Sequence, residues 1–310
     1  MNFSYRLLRR LKSFAPQSVR EWVHYYREGY APLSQIRALP SVRDVDHLER
    51  LQDLCPKRTP IKYDADSVRH RATAQWQSIE QALGKRMSTS KRVVEVGCGE
   101  GGLVLEGLDA GYDVYGIDIA FPRFELLCQQ DERLRDRLLE GNASSIPFPD
   151  ESVNTIISIA AFEHYADVEG FLAEVARVLA PGGAAYVSSG GLWNSPWGAH
   201  LYNKIMVPWC HLIYDYEVIE AWHAKHRPGE PVNSIDEIPA NRLDIPYGGM
   251  NQYSLARYQQ AVADTPLDVY TEQWNKSELG RFLKAFPDLV EEYGREELLT
   301  AHCLLVLTKD

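Results

Sequence analysis

Residues 93–102 read VVEVGCGEGG, an apolar β-type run that breaks into four glycines within six positions. Gly97, Gly99 and Gly102 satisfy G-x-G-x-x-G, the spacing of a dinucleotide-binding turn between a strand and a helix. Asp118 follows 21 residues after Gly97, where that pattern places its acidic ribose ligand. The charge nearby points elsewhere. Glu95 precedes the first glycine on the strand, and Glu100 lies inside the loop. Two carboxylates are unfavourable beside a pyrophosphate and favourable beside a cation. The glycines therefore call for a ligand that meets the backbone closely, and the charges for one that is not NAD.

Outward from this loop, residues 89–190 alternate strand and helix patterns. KRVVEVG, YDVYGID, RLLEGN, VNTIISIA and GAAYVSS read as strands; GGLVLEGLDAG, FPRFELLCQQ and VEGFLAEVARVLA read as helices. Such alternation implies an α/β domain with a parallel sheet covered by helices on both faces. Residues 1–88 read as a helical N-terminal region, carried by LPSVRDVDHLERLQDL and DSVRHRATAQWQSIEQALGKRM. Residues 191–266 gather tryptophans, histidines and turn signals, which predicts a substrate-side insertion or lid. Residues 267–310 return to pattern, with DVYTEQW and HCLLVLTK as strands and SELGRFLKAF as a helix, completing the core.

V-x-E-V-G-C-G-E-G resembles the first motif of the class I S-adenosylmethionine-dependent methyltransferases. Three further segments match that family in order: YGIDIA, GNASSIPFPDESVNTIISIAAFEHYAD and EVARVLAPGG. The resemblance implies a Rossmann-like, mostly parallel seven-stranded sheet, with the 191–266 insertion after strand five. It implies S-adenosyl-L-methionine as cofactor and S-adenosyl-L-homocysteine as product. Carried over by position, Glu95 and the loop from Gly97 through Cys98 and Gly99 to Gly102 would cradle the methionine part. Asp118 would hold the ribose hydroxyls and Ile119 the adenine face. Asn142, beside Ala143, stands where the family usually has Asp; its amide oxygen can still accept a hydrogen bond from the adenine amino group.

Methyl transfer from a sulfonium needs alignment and, for a hydroxyl acceptor, a base within hydrogen-bond reach. His164, after the fourth strand, and His200 and His211, in the insertion, are the candidates. The insertion also holds Trp193, Trp197, Trp209 and Trp222, which either wall an acceptor pocket, a sugar face included, or simply bury the segment. Glu220, His223 and His226 are spaced i, i+3, i+6; the outer two diverge around a helix, so a water-exposed helix face is expected rather than a metal site.

The formal net charge of −10 disfavours a nucleic-acid partner. Five scattered cysteines without a C-x-x-C pair fit reduced thiols in a cytoplasmic protein. No apolar run reaches the ~18 residues of a membrane span. The opening twenty residues are basic, with Phe3, Leu7, Leu8 and Leu11 at helical spacing; a helix packed on its own domain is expected there, with contact to a membrane surface or an acidic partner as the alternative. The functional expectation is a methyltransferase acting, most plausibly at oxygen, on a small-molecule or glycan-type acceptor. A protein methyltransferase and a catalytically silent cofactor-binding subunit are the alternatives, and the oligomeric state is left open.

Overall fold

The computed structural model describes residues 16–57, 64–87, 91–119, 131–201, 204–229 and 249–310. The helix expected over 121–130, the basic helix expected at the start of the chain, and parts of the turns read at 227–231 and 245–250 lie outside the described residues. In chain order the helices are α1 (Gln17–Arg27), α2 (Leu33–Arg37), α3 (Val45–Asp53), α4 (Ala65–Leu83), α5 (Gly102–Asp109), α6 (Val168–Val178), α7 (Cys210–Ile213), α8 (Tyr216–His226), α9 (Leu255–Ala263), α10 (Pro287–Tyr293) and α11 (Arg295–Leu299). The strands are β1 (Arg92–Val96), β2 (Asp113–Asp118), β3 (Leu138–Glu140), β4 (Val153–Ile159), β5 (Leu179–Ser188), β6 (Asp268–Lys276) and β7 (Thr300–Thr308).

The chain divides into two units. One comprises Pro60–Trp193, Ile235–Asn275 and His302–Asp310 and contains the sheet; the other comprises Met1–Thr59, Asn194–Ser234 and Lys276–Ala301 and is helical. The sheet has seven strands in the order β3-β2-β1-β4-β5-β7-β6. The strands from β3 to β5 run parallel, and β7 pairs antiparallel with β5. This is the mostly parallel seven-stranded sheet expected from the sequence, and each of the seven strand segments read there contains or overlaps one of its strands.

Alternation along each strand builds two cores. Val94, Val96, Ile156, Ala185, Val187, Leu305 and Leu307 face the side packed by Phe171 and Val175 of α6 and Tyr258 of α9. Val93, Ile157, Ala184, Tyr186 and Val306 face the side packed by Trp76 and Ile79 of α4 and Leu103 and Val104 of α5. Strands buried on both faces read as mostly apolar runs, as VVEV does apart from Glu95 and TIISI apart from Thr155 and Ser158.

Side-chain caps start the main helices of this unit. Asp64 accepts from the Ser67 N–H at 2.9 Å, Asp167 from the Gly170 N–H at 2.8 Å and Ser254 from the Arg257 N–H at 3.3 Å. Helix α4 lies tight on α5 because α5 offers glycines. A Cβ on Gly102 would fall 2.8 Å from Val68 Cγ1, and one on Gly107 would run into Trp76 and Val114. The segment DSVRHRATAQWQSIEQALGKRM, grouped by pattern with the N-terminal helices, thus packs on the sheet.

In the helical unit Trp209 is fully buried, its indole N–H shared between the Asn194 and Leu298 carbonyls at 3.1 and 3.2 Å. It stacks on Phe282, which in turn stacks on Phe286. The SELGRFLKAF segment that carries Phe282, read as a helix, is a 3-10 helix over Leu279–Ala285. Among the described residues, no helix is long and apolar enough to cross a membrane. Cys55, Cys98, Cys210 and Cys303 are buried and form no disulfide.

Candidate functional site

Strand β1 ends at Val96, and the chain turns there through glycine geometry. Gly97 has φ +77°, and its N–H and that of Cys98 both donate to the Ile117 carbonyl, at 2.8 and 3.1 Å. A Cβ on Gly97 would overlap that of Ala161 and lie 3.2 Å from the Tyr165 hydroxyl, so only glycine fits. Gly99, at φ +50°, donates its N–H to Asp118 Oδ2 at 2.8 Å, and a Cβ there would meet nothing within 4 Å. The loop is therefore closed below Gly97 and open above Gly99. Gly102 belongs to the closed side, buried against α4.

Acidic groups surround the open side. Glu95 is 4% exposed, and its Oε2 is buried with no hydrogen-bond partner. Burial first, then the charges of Asp118 and Glu100, hold its carboxyl well above the ordinary glutamate range. An anionic ligand would worsen this; a cationic one would restore Glu95 to its charged form. The residues present thus fit a sulfonium or ammonium group better than a pyrophosphate. Cys98 faces inward, its Sγ 2.6 Å from where a Cβ on Gly116 would stand, and burial raises its thiol pKa well above the ordinary value. It is a packing residue rather than a nucleophile.

Ile119 directly follows β2 with half of its surface exposed, as a side chain that takes a flat apolar ligand face would be. Asn142 is exposed, and its Oδ1 accepts from both the N–H and the hydroxyl of Ser144, at 3.0 and 3.1 Å. Its amide oxygen thus already holds a turn. Ala143 is buried in the core with Ile117 and Ile146.

The turn after β4 joins His164 to Tyr165 and Asn251, which the sequence did not single out. The Tyr165 hydroxyl donates to the Val96 carbonyl at 2.8 Å and lies 2.8 Å from Ser158 Oγ, which pins this turn to the base of the glycine loop. Asn251 gives its amide N–H groups to the carbonyls of Phe162 and Tyr165, both at 3.1 Å. Its Oδ1 accepts from Tyr258 at 2.7 Å, and its backbone N–H donates to Glu163 O at 3.0 Å. His164 Nδ1 lies 2.6 Å from the Gly249 carbonyl, so that nitrogen donates, and in the neutral ring the lone pair is on Nε2. Nε2 is 3.9 Å from Glu163 Oε1, a fully buried carboxyl that accepts from the Gly190 N–H at 2.7 Å and whose pKa burial raises. No short-range pattern marks Asn251 or Tyr165, because their partners are 86 and 69 residues away.

The sheet unit therefore brings together Glu95, Gly97, Cys98, Gly99, Asp118, Ile119, Asn142, Ala143 and His164. His200 and His211 belong to the helical unit, each at least nine-tenths buried, with His200 at φ +55°. His211 lines a polar cavity of about 500 Å³ with Arg43, Tyr214, Asp215 and Glu292. The expectation of a water-exposed face for Glu220, His223 and His226 holds for Glu220 and His226 but not for His223. His223 is 2% exposed, and His226 stacks on Trp222 and lies 3.3 Å from Glu49. Helix α8 packs beside α3 through this side, which the short polar pattern hid.

Comparison with known proteins agrees with the loop. A family model described as "Methyltransferase domain" matches residues 94–187. A demethylmenaquinone methyltransferase of Thermus thermophilus is 34% identical over 114 residues, 36% of this chain and 50% of that protein. A phthiotriol/phenolphthiotriol dimycocerosates methyltransferase of Mycobacterium leprae is 39% identical over 100 residues, 31% of this chain and 36% of that protein. The chain thus spans half or less of the length of these relatives. A geranyl diphosphate C-methyltransferase structure from Streptomyces coelicolor A3(2) aligns with a TM-score of 0.47 at 15% identity, covering 91% of this chain and 90% of that one. Residues 94–187 are a methyltransferase domain of the class I S-adenosylmethionine-dependent family.

Proposed function

We propose that this chain transfers a methyl group from S-adenosylmethionine to an oxygen of a small-molecule acceptor, leaving S-adenosylhomocysteine. The observation that carries the reading is Glu95, a buried carboxyl with an unpartnered oxygen at the mouth of an open glycine loop. When bound, the cofactor supplies a methyl group on a sulfonium, a leaving group that departs neutral. Glu95 meets the cationic methionine end, and the Gly97–Gly99 backbone lets that end approach. Asp118, already oriented by the Gly99 N–H, offers its carboxylate to the ribose hydroxyls. Ile119 takes the adenine face. Asn142, whose side chain holds the adjoining turn, and Ala143 would line the adenine end of the site.

His164 is the proposed base. Its Nδ1 is anchored on Gly249, which in the neutral ring puts the lone pair on Nε2, the atom that would take the proton of an acceptor hydroxyl. His200 and His211 stay in the proposal as acceptor-side residues of the helical unit. Relatives whose names give demethylmenaquinone, phthiotriol dimycocerosates and fatty acids as acceptors support a small organic acceptor. An aromatic wall for a glycan is less well supported, because Trp209 and Trp222 are taken up in packing. A cytoplasmic location, read from the scattered thiols, belongs to the same proposal.

A screen with radiolabelled methyl donor and the full chain, over quinols, fatty acids, phenols and amines, tests it. The expected result is transfer to a hydroxyl or carboxyl acceptor. For a hydroxyl acceptor, His164→Gln should lose roughly 100-fold in rate while S-adenosylhomocysteine binding is kept. Transfer to amines alone, or full activity of the variant on a hydroxyl, would contradict the oxygen reading.

A further inference from the structure

Among the described residues, half of the large apolar side chains open to water stand on one helix. Val19, Trp22, Val23 and Tyr26 are 46, 51, 41 and 41% exposed and fall at i, i+3, i+4 and i+7 of α1. That spacing makes a single stripe along one side of the helix. The opposite side does the packing. Glu21 is 3% exposed and accepts from Arg295 at 2.7 and 2.6 Å, while Tyr25 is fully buried, donates to the Ala31 carbonyl and stacks on Tyr30. The stripe is therefore not needed to hold α1 in place. A contiguous apolar face left in water marks a contact surface.

Charge identifies what covers it. Residues 1–28 carry Arg6, Arg9, Arg10, Lys12, Arg20 and Arg27 against only Glu21 and Glu28, in a chain whose net charge is −10. Glu21 is turned inward to Arg295, which removes one of the two acids from the exposed side. Arg281 adds a further cation, donating to the Tyr26 hydroxyl at 3.2 Å and lying over its ring. The sequence before α1 repeats the composition, with Phe3, Leu7, Leu8 and Leu11 among its basic residues. Trp and Tyr are the side chains that favour the headgroup region of a bilayer, and cations beside an apolar stripe are drawn to anionic lipid.

We propose that α1 docks this protein, through its exposed apolar stripe and the cations beside it, on the surface of an anionic lipid bilayer. The proposal concerns the helical unit alone and does not depend on the cofactor reading.

Sedimentation of the full chain with vesicles tests it, using mixed phosphatidylcholine–phosphatidylglycerol and pure phosphatidylcholine. The chain should sediment with the mixed vesicles at low salt, lose affinity as salt screens the charges, and ignore the neutral ones. Trp22→Ser combined with Val23→Ser should weaken binding roughly tenfold or more, without changing the circular dichroism spectrum or S-adenosylhomocysteine binding. No sedimentation with the mixed vesicles, or equal sedimentation of the double variant, would overturn the proposal. So would a wild-type dimer in light scattering without lipid that the double variant abolishes, since the stripe would then belong to a second copy.

Discussion

Glu95 stands at the end of β1 with 4% of its surface exposed, and burial together with Asp118 and Glu100 lifts its pKa far above the usual range. A carboxyl whose pKa is higher in the folded chain than in the unfolded one binds protons preferentially when folded. Its contribution to stability is then complete below the unfolded value and is lost as pH rises from about 5 through the folded value. Glu95→Gln removes the titration. Its melting temperature should thus gain on that of the wild type as pH is raised from 5 to 8, when both are measured without ligand. A constant difference across that range would show that Glu95 is not held protonated. Glu95 and Asp118 were legible in the sequence because the motif that carries them is local. Tyr165 and Asn251 were not, because hydrogen bonds across 69 and 86 residues leave no local mark.

At the scale of elements, the turn after β4 is fixed from outside its own sequence. Asn251 supplies donors to Phe162 O and Tyr165 O and takes one from Tyr258, so one side chain ties that turn to the start of the Tyr253–Tyr258 cluster. Asn251→Ala should cost about 2 kcal/mol in urea unfolding, because two carbonyls and a tyrosine hydroxyl lose their partners together. Arg257→Ala, on a side chain 54% exposed, should change stability by less than about 0.5 kcal/mol. Equal effects would mean that Asn251 is not the tie. The strands were readable as elements since burial on both faces leaves mostly apolar runs. The meaning of Gly102 was not. Beyond its place in the loop motif, a Cβ there would collide with Val68, a contact set by the packing of α4 on α5.

Over the whole molecule, the sheet unit gathers three separate stretches of chain, and so does the helical unit. A linear reading grouped residues by neighbourhood, and for the sheet itself that sufficed, because successive strands carry their own apolar signature. It failed for α4, which sequence order places with the N-terminal helices while its Trp76 and Ile79 join the core beneath β1. The tryptophans and histidines of 194–226 gave no decision between pocket and packing, since an aromatic cluster has one composition for both roles. Burial separates them: Trp209 and Trp222 are interior. The identity of the bound group depends on charge at the glycine loop, and that is open to direct measurement. Isothermal titration of the full chain with S-adenosylhomocysteine and with NAD, repeated on Glu95→Gln, is the test. Saturable binding of S-adenosylhomocysteine, weakened by about 2 kcal/mol or roughly thirtyfold in the variant, with no heat from NAD, is the expected result. Binding of NAD in place of S-adenosylhomocysteine, or S-adenosylhomocysteine binding indifferent to Glu95, would contradict it.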